Sequence, residues 1–195
     1  MHDLLTILTK DELSRLETRS YKEGEVIFRE EELCEKVGFV LKGNISIVSY
    51  TSFGNEVIYN DLKTGDIFGN NLIFSNDKKY RGNVVSMSDS TIGFLNKENL
   101  LKILKENQQF LIGYLEKQAE FGKSLNARIK LLSMQGADER LMFYFHINNN
   151  VIKFTTIAAL ASILGLQRET LSRLVNKYKK EKKILYTNHQ LKLIV

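Results

Sequence analysis

A single cysteine, Cys34, stands in 195 residues, and that scarcity removes several chemistries at once. One thiol forms no internal disulfide, and it cannot by itself hold an iron–sulfur cluster, which takes about four thiolates. Cys34 reads as a surface-turn or packing residue, with a redox role as the alternative. Histidine is nearly as scarce, for His2, His146 and His189 stand far apart, without the short spacing that metal ligation needs. No nucleophile, base and orienting group fall together in a motif, so an enzyme is not expected. Long apolar runs are missing too. The longest charge-free stretch covers residues 154–167, too short to cross a bilayer. Asp3, Asp11 and Glu12 interrupt the region where a secretory signal would place its apolar core. A soluble cytoplasmic protein with no membrane partner is the expectation, and an apolar share of 43% is ample for packed cores.

Acidic residues are missing from one region in particular. Residues 151–195 hold nine Lys/Arg against two Asp/Glu, a net charge of +7 that leaves −2 for residues 1–150. All the excess positive charge therefore sits in the last quarter. That is the footprint of a module that binds a polyanion, because each phosphate neutralised releases counterions.

The same quarter contains a two-helix pattern. In Thr156-Ile-Ala-Ala-Leu-Ala-Ser-Ile-Leu-Gly165 the residues Leu160, Ile163 and Leu164 recur at helical spacing, and Leu171, Leu174, Val175 and Tyr178 do so in the next segment. Gly165 lies between them, where a sharp helix exit favours a left-handed backbone. Ala161 is small enough to let two helices cross closely. Arg168, Glu169, Ser172, Arg173 and Lys177 fall on the face away from the leucines. Side chains at the start of such a helix reach base edges in a major groove. Arginine can pair with guanine O6 and N7, and glutamate can accept from cytosine N4. The DNA-contact set is Thr156, Gln167, Arg168, Glu169, Thr170, Ser172, Arg173 and Lys177.

Gln167-Arg-Glu-Thr-Leu-Ser-Arg173 resembles the start of the recognition helix in the CRP/FNR family of bacterial transcription regulators. The resemblance implies an α+β chain with three parts. These are an N-terminal β-roll like a cyclic-nucleotide-binding domain (1–106), a long dimerisation helix with a hinge (107–135), and a C-terminal winged helix-turn-helix (136–195). It also implies double-stranded DNA with two-fold half-sites, a second copy of the chain and RNA polymerase as partners. Arg168-Glu169 suits the CRP branch and Glu169 with Ser172-Arg173 suits the FNR branch, so the half-site sequence stays open.

The rest of the chain agrees in outline. Thr9-Lys-Asp-Glu12 is a capping box opening a short helix. From Tyr21 onward, short β-rich runs at 25–28, 37–41, 45–50, 56–62, 67–68, 83–86 and 91–95 alternate with turns at 22–24, 42–44, 52–55 and 63–66. Many short strands with turn signals argue for an antiparallel barrel or roll. Asn96 caps an amphipathic helix. Leu111, Leu115, Gln118, Gly122, Leu125, Ile129 and Leu132 then follow one another by alternating steps of four and three, a heptad seam that suggests a parallel homodimer. Gly136 is the hinge expected after it, and Asp138 the cap of the next helix. Residues 151–154 read as a strand, and 184–186 with 190–195 as the hairpin of a wing, with His189 near its tip.

An effector site is implied by the resemblance alone, in Phe68, Gly69, Asn70, Asn71, Arg81, Gly82, Asn83 and, on the long helix, Asn126. Asn70 stands where cyclic-nucleotide-binding members carry a glutamate for the ribose hydroxyl, and an amide lacks a carboxylate's acceptor strength. Arg81 comes one residue late and is followed by Gly82 rather than a hydroxyl residue. Both departures argue against cyclic AMP and leave the effector unnamed. A cyclic-nucleotide-binding regulatory module without DNA binding would fit the first half of the chain, but it leaves the basic helix pair unexplained.

Overall fold

The computed structural model describes residues 4–50, 56–187 and 189–194, with the backbone alone at 56–59. The turn expected at 52–55 and Asn188 of the wing turn lie outside the described residues, as do His2, Asp3 and Val195. The chain divides into two compact units, Met1–Ala119 and Glu120–Val195.

In the first unit a 3-10 helix (Leu4–Ile7) precedes α1 (Lys10–Ser14). The expected capping box forms: Thr9 Oγ1 accepts from the Glu12 amide at 3.2 Å, and the Glu12 carboxylate accepts from the Thr9 amide at 2.7 Å. Eight strands follow, β1 (Glu17–Tyr21), β2 (Val26–Phe28), β3 (Lys36–Lys42), β4 (Asn44–Tyr50), β5 (Glu56–Lys63), β6 (Ile67–Phe68), β7 (Asn83–Ser86) and β8 (Ser90–Asn96). They pair antiparallel in two sheets, ordered β1-β8-β3-β6 and β2-β7-β4-β5. This is the expected roll with one strand more. β1 carries four exposed residues and no apolar alternation, so its sequence gives no strand signal. What makes it a strand is pairing along the edge of β8, from Glu17 opposite Phe94 to Tyr21 opposite Ser90.

Apolar side chains from both sheets fill the roll. Val37, Phe39 and Ile92 from one sheet and Ile45 and Val84 from the other are all buried, each contributing about 1.5–3 kcal/mol relative to exposure. α2 (Lys97–Glu106) closes over them with Leu100 and Ile103, and its cap is Asn96, whose side chain accepts from the Asn99 amide at 2.8 Å. The first turns of α3 (Gln108–Ser133) add Phe110 and Tyr114 to this core. Within it, a Cβ on Gly38 would lie 2.1 Å from Cζ of Phe68. The Phe68 ring therefore rests on bare β3 backbone, edge-on to Phe94 at 6.3 Å. Cys34 is fully buried, with Sγ 3.4 Å from the Lys36 carbonyl and 3.6 Å from that of Gly69. Packing is what the structure shows and the surface turn is not, and burial pushes its thiol pKa up.

The second unit holds the rest of α3, then α4 (Ala137–Ile147), β9 (Val151–Lys153), α5 (Ile157–Leu164), α6 (Arg168–Lys180), β10 (Ile184–Thr187) and β11 (Gln190–Leu193). The three strands form an antiparallel sheet ordered β10-β11-β9. Its core gathers Leu131, Leu141, Phe145, Ile152, Leu160, Leu164, Leu171 and Leu191. Asp138 is not the cap of α4. Gly136 takes that place in an extended conformation with no side-chain bond, and Asp138 falls in the first turn. There its carboxylate accepts from the Tyr178 hydroxyl at 2.8 Å, a partner that the largely buried phenol requires.

Candidate nucleic-acid interface and effector site

The helix pair forms as its sequence dictates. Thr156 caps α5, its hydroxyl accepting from the Ala159 amide at 3.0 Å. Gly165 ends the helix with φ +61° and ψ +38°, and the Leu166 amide returns to the Ala161 carbonyl at 2.9 Å. Ala161 is buried where the helices meet. Gln167 then leads into α6 in extended conformation without a side-chain cap bond. Leu171, Leu174, Val175 and Tyr178 face the core, while Ile163 of the expected α5 stripe is only partly buried.

The other face of α6 is open. Gln167, Arg168, Glu169, Ser172, Arg173 and Lys177 are exposed, Thr170 is half-buried, and Thr156 is exposed at the start of α5. Arg173 Nε reaches back to the Glu169 carbonyl at 3.4 Å, and Lys177 stands 3.8 Å from Asp138 with both side chains solvated. Such an ion pair contributes little and leaves Lys177 able to meet a phosphate. Lys177, Lys179 and Lys180 occupy the last turn, where the helix dipole favours cations. Asn176, outside the expected contact set, is also exposed on this face between Arg173 and Lys177. Its signal was available, since an asparagine one turn beyond Arg173 can pair with adenine. In the wing, His189 has φ +56°, its carbonyl accepts from the Phe154 amide at 2.9 Å, and Phe154 stacks on Tyr186 at 6.0 Å.

The residues expected at an effector site divide. Phe68 is a core residue, and Gly69, at φ +75°, is packed beside Cys34. Asn70 is buried and tied to α3. Its Nδ2 donates to Gln118 Oε1 at 3.0 Å, while its carbonyl accepts from Gln118 Nε2 at 2.9 Å and from the Tyr114 hydroxyl at 3.0 Å. Burial pushes the Tyr114 hydroxyl up to about 12, against the opposing hydrogen bond from Gln118. Asn71 is exposed. Arg81 is exposed and pairs with Asp77 on its own turn, Gly82 is buried, and Asn83 Oδ1 accepts from the Glu30 amide at 3.1 Å. Asn126 is exposed on the part of α3 that belongs to the second unit. No sequence signal marks Tyr114 as a partner of Asn70, and the heptad spacing accounts for Gln118 only as a seam position.

A separate cleft of about 180 Å³ in the first unit is lined by Tyr21, Phe28 and Phe94 together with the charged Arg19, Glu32 and Lys36 among others. None of the expected effector residues lines it. Among the described residues no group of three or more His, Cys, Asp or Glu could hold a metal ion. No helix among them is long and apolar enough to cross a membrane.

Along the seam, Leu115, Leu125, Ile129 and Leu132 are between 42% and 59% exposed. Leu111, Gln118 and Gly122 are half-buried.

Residues 18–107 match the family model of the cyclic nucleotide-binding domain. Solved structures share the architecture over most of the chain. A CooA variant from Carboxydothermus hydrogenoformans aligns with a TM-score of 0.76 at 21% identity, over 94% of this chain and 86% of that one. FixK2 from Bradyrhizobium japonicum gives 0.67 at 20% identity, over 92% and 93%. A transcriptional regulator of the CRP family from Thermus thermophilus gives 0.61 at 16%, over 91% and 92%. No curated protein sequence matches the chain. Residues 18–107 are thus similar to a cyclic nucleotide-binding domain, and the chain shares its fold with these solved structures.

Proposed function

We propose that the protein is a sequence-specific, DNA-binding transcription regulator that acts as a homodimer under the control of the roll. The observation that carries this reading is α6. One of its faces is committed to a core and the other presents Arg168, Glu169, Ser172 and Arg173 to solvent, within a segment of net charge +7. Arg168 and Arg173 read guanine or hold phosphate, Glu169 reads cytosine, Ser172 meets a base edge or the backbone, and Thr156, Gln167, Thr170 and Lys177 position the helix on the duplex. Exposed apolar side chains along the seam support a second copy as partner, because leucine and isoleucine gain most when covered. Two α6 helices then enter successive major grooves about 34 Å apart. RNA polymerase is the further partner of a regulator working in this way in the cytoplasm.

Control by a small effector fits the roll, whose Gly69–Asn71 turn contacts α3. A ligand that prefers one arrangement of that contact shifts its population and with it the DNA affinity. Cyclic AMP is not the ligand this turn suits. Asn70 already spends its amide on Gln118, and Arg81 is paired with Asp77.

Selection of bound fragments from a random DNA pool, followed by gel shifts at two salt concentrations, tests the reading. A two-fold site with half-sites one helical turn apart is expected, held against competitor DNA. Arg168→Ala and Glu169→Ala should each relax preference at one base pair by about 1–3 kcal/mol. A pool that emerges unenriched, with equal affinity for any duplex, would sink the proposal.

A further inference from the structure

Gly136 looks like a free joint in the sequence, yet the side chain of Arg140 spans it. Its guanidinium donates four hydrogen bonds, all to backbone carbonyls. Nη2 reaches Leu132 at 3.3 Å and Nε reaches Met134 at 2.8 Å, both where α3 ends. Nη1 reaches Leu164 at 3.2 Å and Gly165 at 2.8 Å, where α5 ends. The last carbonyls of a helix lack partners within it and carry its negative dipole end. One planar cation thus satisfies two helix ends together, which a fork of five donors can do and a single ammonium cannot.

Neighbouring contacts close the same joint. Leu131 is buried in the second core, Lys130 lies 5.3 Å from the centre of the Phe143 ring, and a Cβ on Gly165 would stand 2.7 Å from Leu132 Cδ2. Asp138, in the same first turn of α4, holds Tyr178 of α6.

We propose that Arg140 is a positioning residue for DNA recognition. It fastens the seam-bearing end of α3 to the helix-turn-helix, so that the angle between Leu125, Ile129 and Leu132 on one side and Arg168 and Arg173 on the other is fixed. In a dimer joined through that seam, this angle sets the distance between the two reading heads. The assignment rests on the dimeric DNA-binding reading given above. Arg140 itself touches no base.

The test uses the full chain with Arg140→Gln and Arg140→Lys, and sites selected by the wild type whose half-site spacing is changed in single base-pair steps. Sedimentation and thermal melting report whether dimer and fold persist. The expected result is base preference within one half-site like that of the wild type, together with a loss of about tenfold or more in discrimination between spacings, which Lys does not restore. Spacing profiles identical to the wild type in both variants overturn the assignment and leave the regulator reading intact. A wild type that selects no spacing overturns both. Should the variants not fold, the Nε–H of Arg140 in the wild-type protein decides. Slow solvent exchange supports the clasp, and a rapidly exchanging, mobile guanidinium refutes it.

Discussion

Replacing Gln118 by alanine should loosen the roll's Gly69–Asn71 turn without unfolding the chain. The substitution deletes two hydrogen bonds to Asn70, at 3.0 and 2.9 Å. It also leaves the Asn70 amide, 8% exposed, without its acceptor. A hydrogen bond contributes about 1 kcal/mol net, and an orphaned buried polar group costs about 1–3 kcal/mol. Gln118 is itself half-exposed, so water recovers part of the loss, and about 2 kcal/mol is expected. The effect is local, and amide hydrogen exchange measures it. The amides of Leu72 and Ile73 both donate to the Gly69 carbonyl at 3.0 Å and open when the turn opens. At 1.4 kcal/mol per tenfold, their exchange should accelerate about 30-fold, while amides in the centres of β3 and β8 keep their protection. Tyr114→Phe removes the remaining hydrogen bond from α3 to Asn70, the one to its carbonyl, and should add a smaller acceleration. If Leu72 and Ile73 exchange at the wild-type rate in Gln118→Ala, the turn is held by something other than α3 and the reasoning fails.

Three further outcomes are expected. Gly165→Ala places a side chain at φ +61° and 2.7 Å from Leu132 Cδ2. It should cost about 2 kcal/mol, seen as a drop of roughly 10 °C in the melting of the second unit. Tyr178 is buried beside Asp138, and desolvation with the neighbouring carboxylate pushes its hydroxyl from 10.0 up to about 12. Its proton is held more tightly in the folded state, so its stabilisation is complete below pH 10 and fades as pH rises through about 12. Denaturant titrations of wild type and Tyr178→Phe should therefore differ at pH 8 and converge above pH 12. Ile129→Asp puts a charge on a seam residue that is 59% exposed in one chain. If two seams meet, the dimer should weaken roughly 1000-fold by sedimentation, from about 2 kcal/mol of lost burial on each side, with the fold of each chain unchanged.

Periodic signals translated into structure most faithfully. The capped starts of α1 and α2, the glycine exit at Gly165 and the buried face of α6 depend on residues close in sequence, and each formed where its pattern stood. β1 did not announce itself because Glu17-Thr-Arg-Ser-Tyr21 has no apolar alternation and owes its conformation to β8. The cap of α4 was misassigned to Asp138 because an aspartate near a helix start looks alike whether it binds its own backbone or a tyrosine 40 residues away. Gln118 illustrates a different limit. Its place in a four-three repeat was correct as spacing, yet its side chain bonds to Asn70, a partner 48 residues away that no periodicity encodes. Arg140 was invisible for a related reason. Its partners are carbonyl oxygens, which every residue carries, so no residue type in the sequence marks where they converge. The exposed side chains of α6 were legible because exposure follows from the helical repeat once the buried face is known.

The ring of Phe68 on the bare backbone of Gly38 couples the histories of two distant positions. Any side chain at residue 38 collides with the aromatic, and a smaller residue at 68 alone leaves a hole in the middle of the roll. Neither can drift by itself without harm. A bulkier residue at 38 and a shrunken one at 68 are tolerable only as a joint exchange that conserves their shared volume, so in a randomised library of these two sites the survivors should be paired, not independent.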